Sequence, residues 1–316
     1  MSRPEPVNIG ARLELLVDDI LIDAIGNAEL RLHHPQPREV VMHFDEPWEG
    51  SGCGYVTVFE DASLFRMYYK AWGMGVDAEG TDPSELQVAY AESEDGIHWE
   101  KPALGLIDFD GSMDNNLVWH GPGSHGFAPF KDPNPSAKPD ARYRAVGRGT
   151  TEAGTGLLAL QSPDGLHWEL MRQEPILTGC PFDSQNLVFW DVLRDEYRAY
   201  VRDFREGRRS IKTATSDDFV NWTEPKWLRF PGAHKEQLYT NQIIPYPRAP
   251  HLFVGFPARY IERGWSHSVR QLPDGENRRL RSEDVQRYGM ALTDSLFMSS
   301  RDGESFKRWP EAFLRP

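Results

Sequence analysis

The sequence predicts an all-β fold, a β-propeller, and three observations predict it. One turn motif, Ser-x-Asp-Gly-x-x-Trp, can be read four times. Each copy follows three strand-like runs. The 316 residues include 27 Gly and 24 Pro, a balance that favours many turns and short strands over long helices. The copies are Ser93-Glu-Asp95-Gly96-Ile-His-Trp99, Ser162-Pro-Asp164-Gly165-Leu-His-Trp168, Ser216-Asp-Asp218-Phe-Val-Asn-Trp222 and Ser300-Arg-Asp302-Gly303-Glu-Ser-Phe306. The motif is built as a tight turn. Asp accepts backbone N–H groups, Gly supplies a positive φ, and the aromatic ring closes back onto the sheet. His98 and His167 hold equal places within it and read as structural.

The runs before each turn give the unit. First strands are expected at 55–59, 127–130, 186–190 and 241–246, and middle strands at 65–70, 143–148, 197–202 and 252–256. Third strands are expected at 88–91, 157–160, 211–214 and 296–299. Short links such as 60–63 and 191–195 suit hairpins. The spacing between turns is uneven, so insertions are expected at 134–140 and 264–287, the second being charge-dense. Four antiparallel units of this kind form blades around a central channel. A large β-sandwich, or two β-domains, would also accommodate four meanders. The expectation is one domain over residues 1–316, with the chain stopping soon after the fourth turn, as a C-terminal truncation would leave it.

Composition narrows the function classes. With 48 acidic against 35 basic residues the net charge is −13, which argues against a nucleic-acid footprint and against an anionic membrane surface. Cys53 and Cys180 are far apart and outside any CxxC, so both are expected as free core thiols. No stretch approaches a transmembrane helix and the start lacks a signal-peptide pattern, so a cytoplasmic location is expected. Gly121-Pro-Gly123-Ser-His-Gly126 satisfies GxGxxG, but no helix follows and a dinucleotide role is set aside.

The repeated turn resembles that of the five-bladed β-propeller glycoside hydrolases, the invertases, arabinanases, xylosidases and related families 32, 43, 68 and 117. Sialidase turns, in six-bladed propellers, are similar too. Residues 15–22 and the run Phe182-Asp183-Ser184-Gln185-Asn186 look like a branch of such proteins whose substrate these residues do not name. The resemblance covers most of residues 50–310. It implies a fifth blade, either incomplete or completed by the N-terminal segment at 13–32.

In a propeller the first strand of each blade lines the axis, so residues on it and just before it face the central pocket. Those segments hold Glu49, His125, Asp132, Asp183, Glu236 and Asn241, with Asp45 slightly earlier. Converging carboxylates are what glycoside cleavage needs, one as general acid and one as base or nucleophile. Lys131-Asp132-Pro133 looks like the second-blade Arg-Asp-Pro of the resembled families, which implies a transition-state stabiliser. Asp183 stands near the place of their third-blade acid, and Glu49 or Asp45 near that of the first-blade Asp. The plain alternatives are a turn cap before Pro133 for Asp132 and a strand-start cap for Asp183.

Lys70, Arg148 and Arg202 share one repeat position, and Arg259 falls two residues further on, the same face by strand periodicity. Such a set suits an anionic sugar group, or else neutralises the axial carboxylates and neighbours such as Asp203. Trp48, Trp72, Trp119, Tyr239 and Trp265 are candidates for stacking on sugars, and equally for blade cores. No His/Cys cluster has metal-ligand spacing, and no organic cofactor is expected; an axial calcium ion is allowed by the resemblance. The function expected is a glycosidase working through axial carboxylates. A non-catalytic carbohydrate-binding propeller and a glycoside phosphorylase are the alternatives. The partner is a carbohydrate, and the sequence does not set the oligomeric state.

Overall fold

The computed structural model describes residues 5–77, 80–83, 85–285, 287 and 289–315. Sheet one is built from β1 (Gly54–Asp61), β2 (Leu64–Ala71), β5 (Gln87–Ser93) and β6 (Leu117–His120), in that order, with a side hairpin of β3 (Met74–Asp77) and β4 (Gly80–Pro83). Sheet two is β7 (His125–Lys131), β8 (Tyr143–Thr151), β9 (Gly154–Ser162) and β10 (Glu169–Leu170). Sheet three is β11 (Leu187–Asp191), β12 (Glu196–Arg205), β13 (Arg208–Ser216) and β14 (Lys226–Trp227).

The fourth unit is longer and broken in two. One part is β15 (Gln237–Leu238), β18 (Ala258–Glu262) and β19 (Ala291–Ser295). Its other part is β16 (Ile243–Tyr246), β17 (Ala249–Gly255), β20 (Met298–Ser300) and β21 (Lys307–Arg308). Between β18 and β19 the expected insertion carries α1 (His267–Arg270) and α2 (Gly275–Asp284). Every ladder within the four sheets is antiparallel. The expected three strands per unit are therefore present, and each unit adds a short fourth.

The sheets stack side by side, with β1 beside β7, β7 beside β11 and β11 beside β16. This is the arrangement of propeller blades, first strands inward. Apolar side chains fill each joint. Tyr68, Tyr90, Phe127 and Trp168 lie between sheets one and two; Val146, Phe182, Trp190 and Phe219 between two and three; Tyr200, Phe253 and Phe306 between three and four.

Each repeated turn adopts the expected geometry. In the second, Ser162 Oγ accepts from Gly165 N at 2.8 Å, while Asp164 Oδ1 accepts from the N–H groups of Leu166 and His167 at 2.8 and 2.9 Å. Trp168 Nε1 closes the loop by donating to Gly165 O at 2.9 Å. The turns also join blade to blade. Arg66 Nη1 and Tyr68 Oη of β2 donate to Asp164 O and Gly165 O at 2.8 Å each. In the fourth turn Tyr200 Oη likewise donates to the glycine carbonyl, Gly303 O, at 2.9 Å, and Arg194 Nη2 donates to Arg301 O at 2.8 Å.

The joint between sheets four and one is made differently. Residues 5–53 contain no strand, so among the described residues the N-terminal segment does not supply a fifth sheet. It runs instead as an irregular tie. Asp18 pairs with Arg301 at 2.7 Å and Ser299 Oγ donates to Val17 O on sheet four, while Met42 and Trp48 enter the core of sheet one. On the insertions' side, α2 lies against the β3–β4 hairpin. Cys53 and Cys180 are unpaired and half-buried, and burial pushes both thiols up to about 11.

Candidate functional site

The entry ends of the first strands converge, and the side chains that meet there come from all four units. Register explains the meeting. His125 opens β7 and pairs across the ladder with Arg148 near the end of β8. Gly54 opens β1 opposite Lys70 of β2. In sheet three, Arg202 N donates to Asn186 Oδ1 at 3.3 Å, which sets Arg202 beside the 183–186 approach to β11. Gly126, with a φ of 67°, lets the start of β7 lie against this approach, since a Cβ there would come within 2.7 Å of Ser184 O.

The mouth so formed is rich in cations. Lys70 Nζ lies 4.2 Å from the Trp72 ring and 5.4 Å from that of Tyr55. The rings of Tyr55 and His125 meet edge to face at 6.0 Å, and the hydroxyls of Tyr55 and Tyr239 lie 3.4 Å apart. Arg202 is 1% exposed, pairs with Asp183, donates from Nε to Ser184 Oγ at 3.2 Å and stands 5.4 Å from the Tyr239 ring. Burial holds the Arg202 guanidinium below its ordinary range, with Arg209 adding to the effect. Burial also pushes His125 down to about 4, helped by Lys70, Arg148 and Arg202.

Amides complete the mouth. Gln185 Nε2 donates to Tyr55 O at 3.0 Å and Thr57 Oγ1 at 2.9 Å, and Gln242 Nε2 donates to Gln185 Oε1 at 2.6 Å. Several buried polar atoms here have no hydrogen-bond partner among the described residues: Arg202 Nη1, Arg148 Nε, His125 Nε2 and Gln242 Oε1. Asp183, half-exposed, is the carboxylate that reaches this group among the described residues.

Thus the structure brings together Asp183, His125, Arg148 and Arg202 of the expected site, with Lys70, Trp72 and Tyr239. It does not bring the others. Glu49 is fully buried beneath sheet one, accepting from Tyr69 Oη at 2.5 Å and from Lys101 Nζ and Glu46 N at 2.9 Å each. Asp45 lies on the exposed rim, 3.6 Å from the same Lys101. Asp132 follows the far end of β7, where it accepts from Tyr197 Oη at 2.6 Å and pairs with Arg144 at 2.7 Å. At about 3.3 Å per residue, roughly 20 Å of strand separates it from His125. Asp61 repeats its place at the end of β1, pairing with Arg66 at 2.7 Å, so both are blade-joint residues.

Asn241 is fully buried and serves the backbone, donating to Tyr200 O at 3.1 Å and accepting from Ile243 N. Glu236 and Arg259 bind each other at 2.6 Å within a network that includes Asp294 and Arg308. Arg259 therefore leaves the basic set. Trp48 is a sheet-one core residue whose Nε1 donates to Asn116 Oδ1 at 2.7 Å. Tyr55, Gln185 and Gln242 were not expected at the mouth; their signal in the sequence is a place at the entry of a first strand, shared with His125.

Among the described residues no group of three or more His, Cys, Asp or Glu side chains is placed to hold a metal ion. Lys70, Arg148 and Arg202 at the axis form a set that repels calcium, so an axial calcium ion does not fit these residues. No helix among the described residues is long and apolar enough to cross a membrane.

No family model matches the chain. Over 67 residues it is 42% identical to an uncharacterized protein of Mycobacterium tuberculosis, with the same match in strains CDC 1551 / Oshkosh and ATCC 25618 / H37Rv. That stretch is 20% of this chain and 20% of each relative, so the match spans about a fifth of the curated relatives' length. The structure superposes on a solved glycoside hydrolase with a TM-score of 0.50 and 17% identity, covering 84% of this chain and 75% of that one. It also superposes on the α-L-arabinofuranosidase Arb93A of Fusarium graminearum, with a TM-score of 0.49 and 11% identity, over 84% of this chain and 68% of that one. The first of these two, the glycoside hydrolase, shares its fold with the arrangement reached from the repeated turn.

Proposed function

We propose that the mouth binds the negatively charged part of a carbohydrate and that the protein cleaves a glycosidic bond there. Asp183 is the proton-transferring carboxyl, and Lys70, Arg148 and Arg202 hold the charge. The observation that carries this reading is the set of buried, unpartnered donors on Arg202 and Arg148 around one half-exposed carboxylate. Leaving such atoms unsatisfied is costly, and a carboxylate, sulfate or phosphate supplies the missing acceptors bidentately. Tyr55, Trp72 and Tyr239 offer faces for the sugar ring.

A second reading is favoured by a specific observation. Hydrolysis through two carboxylates needs a base or nucleophile besides the acid. Asp183 stands alone among cations in the described mouth. Inorganic phosphate held by the guanidiniums would fill the missing role. A phosphate oxygen bonds to the anomeric carbon, the bond to the leaving sugar's oxygen breaks, and Asp183 takes the proton of the incoming hydrogen phosphate and passes it to that oxygen.

The test is turnover of neutral and uronate-bearing glycosides and oligosaccharides, with and without inorganic phosphate. Cleavage of the acidic substrates is expected, with Asp183→Asn losing about 10²-fold or more in kcat while still binding. Turnover only with phosphate assigns the second reading. Tight glycan binding without turnover in any condition rejects the enzyme and leaves a binding module.

A further inference from the structure

Outside the mouth, the β12–β13 hairpin and the connection from sheet three to sheet four enclose a cleft of about 460 Å³. Arg205, Arg208, Arg209, Arg229, Lys235 and Arg308 line it, against only Glu206 and Glu236. That balance is the reverse of the whole chain, which carries a net −13. Arg229 is paired from outside the cleft by Glu304 at 3.2 Å and Asp302 at 3.6 Å, and the two glutamates leave the rest of the set in excess. Glu206 is shared by Arg208 at 2.5 Å and Lys235 at 3.3 Å, and Glu236 by Arg308 at 2.8 Å and Arg259 at 2.6 Å.

Arg209 and Arg308 are 6% and 8% exposed, and the Nε of each has no hydrogen-bond partner among the described residues. Arg209 reaches the amide oxygen of Gln237 at 2.6 Å rather than a carboxylate, and lies 4.3 Å over the Tyr260 ring. Trp227 and Phe230 give the cleft an aromatic lining, with Arg205 and Arg308 set 5.8 and 5.4 Å from those rings. Flat apolar rings beside guanidiniums with free donor atoms are the combination that takes a sugar face together with its acid group.

The cleft and the mouth share a wall. The guanidiniums of Arg202 and Arg209 lie 5.4 and 5.7 Å from the same Tyr239 ring. The geometry points to a second saccharide subsite here, one that takes an acidic unit of an oligosaccharide whose neighbouring unit occupies the mouth. This rests on the reading of the mouth as a carbohydrate site. The net negative charge of the chain, and a cleft closed on one side by the 229–238 connection, disfavour a nucleic-acid strand as the occupant.

The experiment is titration calorimetry of the full chain with galacturonate oligomers of one to six units. Neutral galacto-oligosaccharides, chondroitin sulfate oligosaccharides and a ten-nucleotide oligo-dT serve as comparisons. Arg205, Arg229 and Lys235 are exposed, so the triple variant R205A/R229A/K235A leaves the core intact. The conservative Arg209→Lys tests the buried member, with thermal unfolding to check its fold. Both variants are expected to weaken binding of trimers and longer acidic oligomers about tenfold or more, and to leave the monosaccharide unchanged. Arg202→Met weakens every length. Equal loss by sulfated oligomers assigns sulfate as a second acceptable group.

Unchanged affinity for long oligomers in both cleft variants overturns the subsite, whatever Arg202→Met does. Oligo-dT binding more tightly than every saccharide overturns it also. Loss confined to the cleft variants, with no monosaccharide binding and no effect of Arg202→Met, retains the cleft and rejects the reading of the mouth.

Discussion

His125 sits where three cations face one imidazole, and its protonation state follows from that crowding. Burial, then Lys70, Arg148 and Arg202, hold it down to about 4, so it is neutral at pH 7. A histidine with a folded pKa below its unfolded value of about 6.5 binds fewer protons folded than unfolded, so its contribution is complete above pH 6.5 and lost as pH falls toward 4. The melting temperature is therefore expected to fall across that window, and His125→Gln to flatten the slope there and nowhere above it. Thermal unfolding between pH 4 and 8 measures this; parallel curves for the two proteins would refute it. At the same scale, the shared repeat position of Lys70, Arg148 and Arg202 was readable in the sequence because register equates them. Glu49 and Asp132 were misjudged for physical reasons. The 46–49 turn carries Glu49 under sheet one, to Lys101, and Asp132 lies beyond the wrong end of a strand whose direction decides which face it serves. Arg259 was misjudged because the break between β17 and β18 resets the alternation of faces.

The repeated turn is the element that the sequence describes best, down to its hydrogen bonds. What the motif does not disclose is its partner, since Arg66 and Tyr68 lie about a hundred residues from the carbonyls they bind. The third copy shows two effects in competition. Phe219 takes the glycine's place at a φ of 72° and is fully buried against Tyr197, Phe130 and Trp222. Burying a phenyl ring is worth about 1.5–3 kcal/mol and the left-handed backbone costs about 1–2 kcal/mol, so burial holds the conformation. Substitution separates turn from docking. Gly165→Ala would place a Cβ 2.7 Å from Tyr68 Oη and 2.8 Å from Arg66 Nη1, whereas at Gly96 the nearest atom, in Phe65, is 3.7 Å away. Both changes strain a positive φ, but Gly165→Ala also disturbs two interblade hydrogen bonds. It is expected to be more destabilising than Gly96→Ala by about 1–3 kcal/mol, read from urea unfolding. Equal losses would mean that the turn stabilises only its own sheet.

Across the whole molecule the charge is divided unevenly. A chain with a net −13 gathers Lys70, Arg148 and Arg202 around its mouth, and the adjoining cleft, with Arg209, continues the positive surface. A negative exterior repels an acidic ligand at long range, and the concave cationic region attracts it at short range, where low-dielectric walls focus the field. Salt screens exposed charges and buried ones much less. Binding of an acidic oligosaccharide is therefore expected to weaken as salt rises from 0.05 to 0.5 M, less for the triple cleft variant than for the parent. Isothermal titration at several salt concentrations measures both slopes, and a salt-independent affinity would remove the cationic surface from the account. Four sheets were legible from periodicity and turns. The tie between the last and the first was not, because an irregular segment held by Asp18, Arg301 and Trp48 carries no periodic signal.

That tie has a mechanical consequence. Three joints in the molecule are wide apolar contacts, two of them also held by turn carbonyls, and the remaining joint is bridged by the N-terminal segment and by α2 against the β3–β4 hairpin. The turn of sheet one is more open than those of sheets two and four: Gly96 and Trp99 are half-buried where Gly165, Trp168, Gly303 and Phe306 are buried. A split ring yields at its split. The first and last units meet across the mouth through Tyr55 and Tyr239, whose hydroxyls lie 3.4 Å apart, so this joint is the one that bounds the mouth directly.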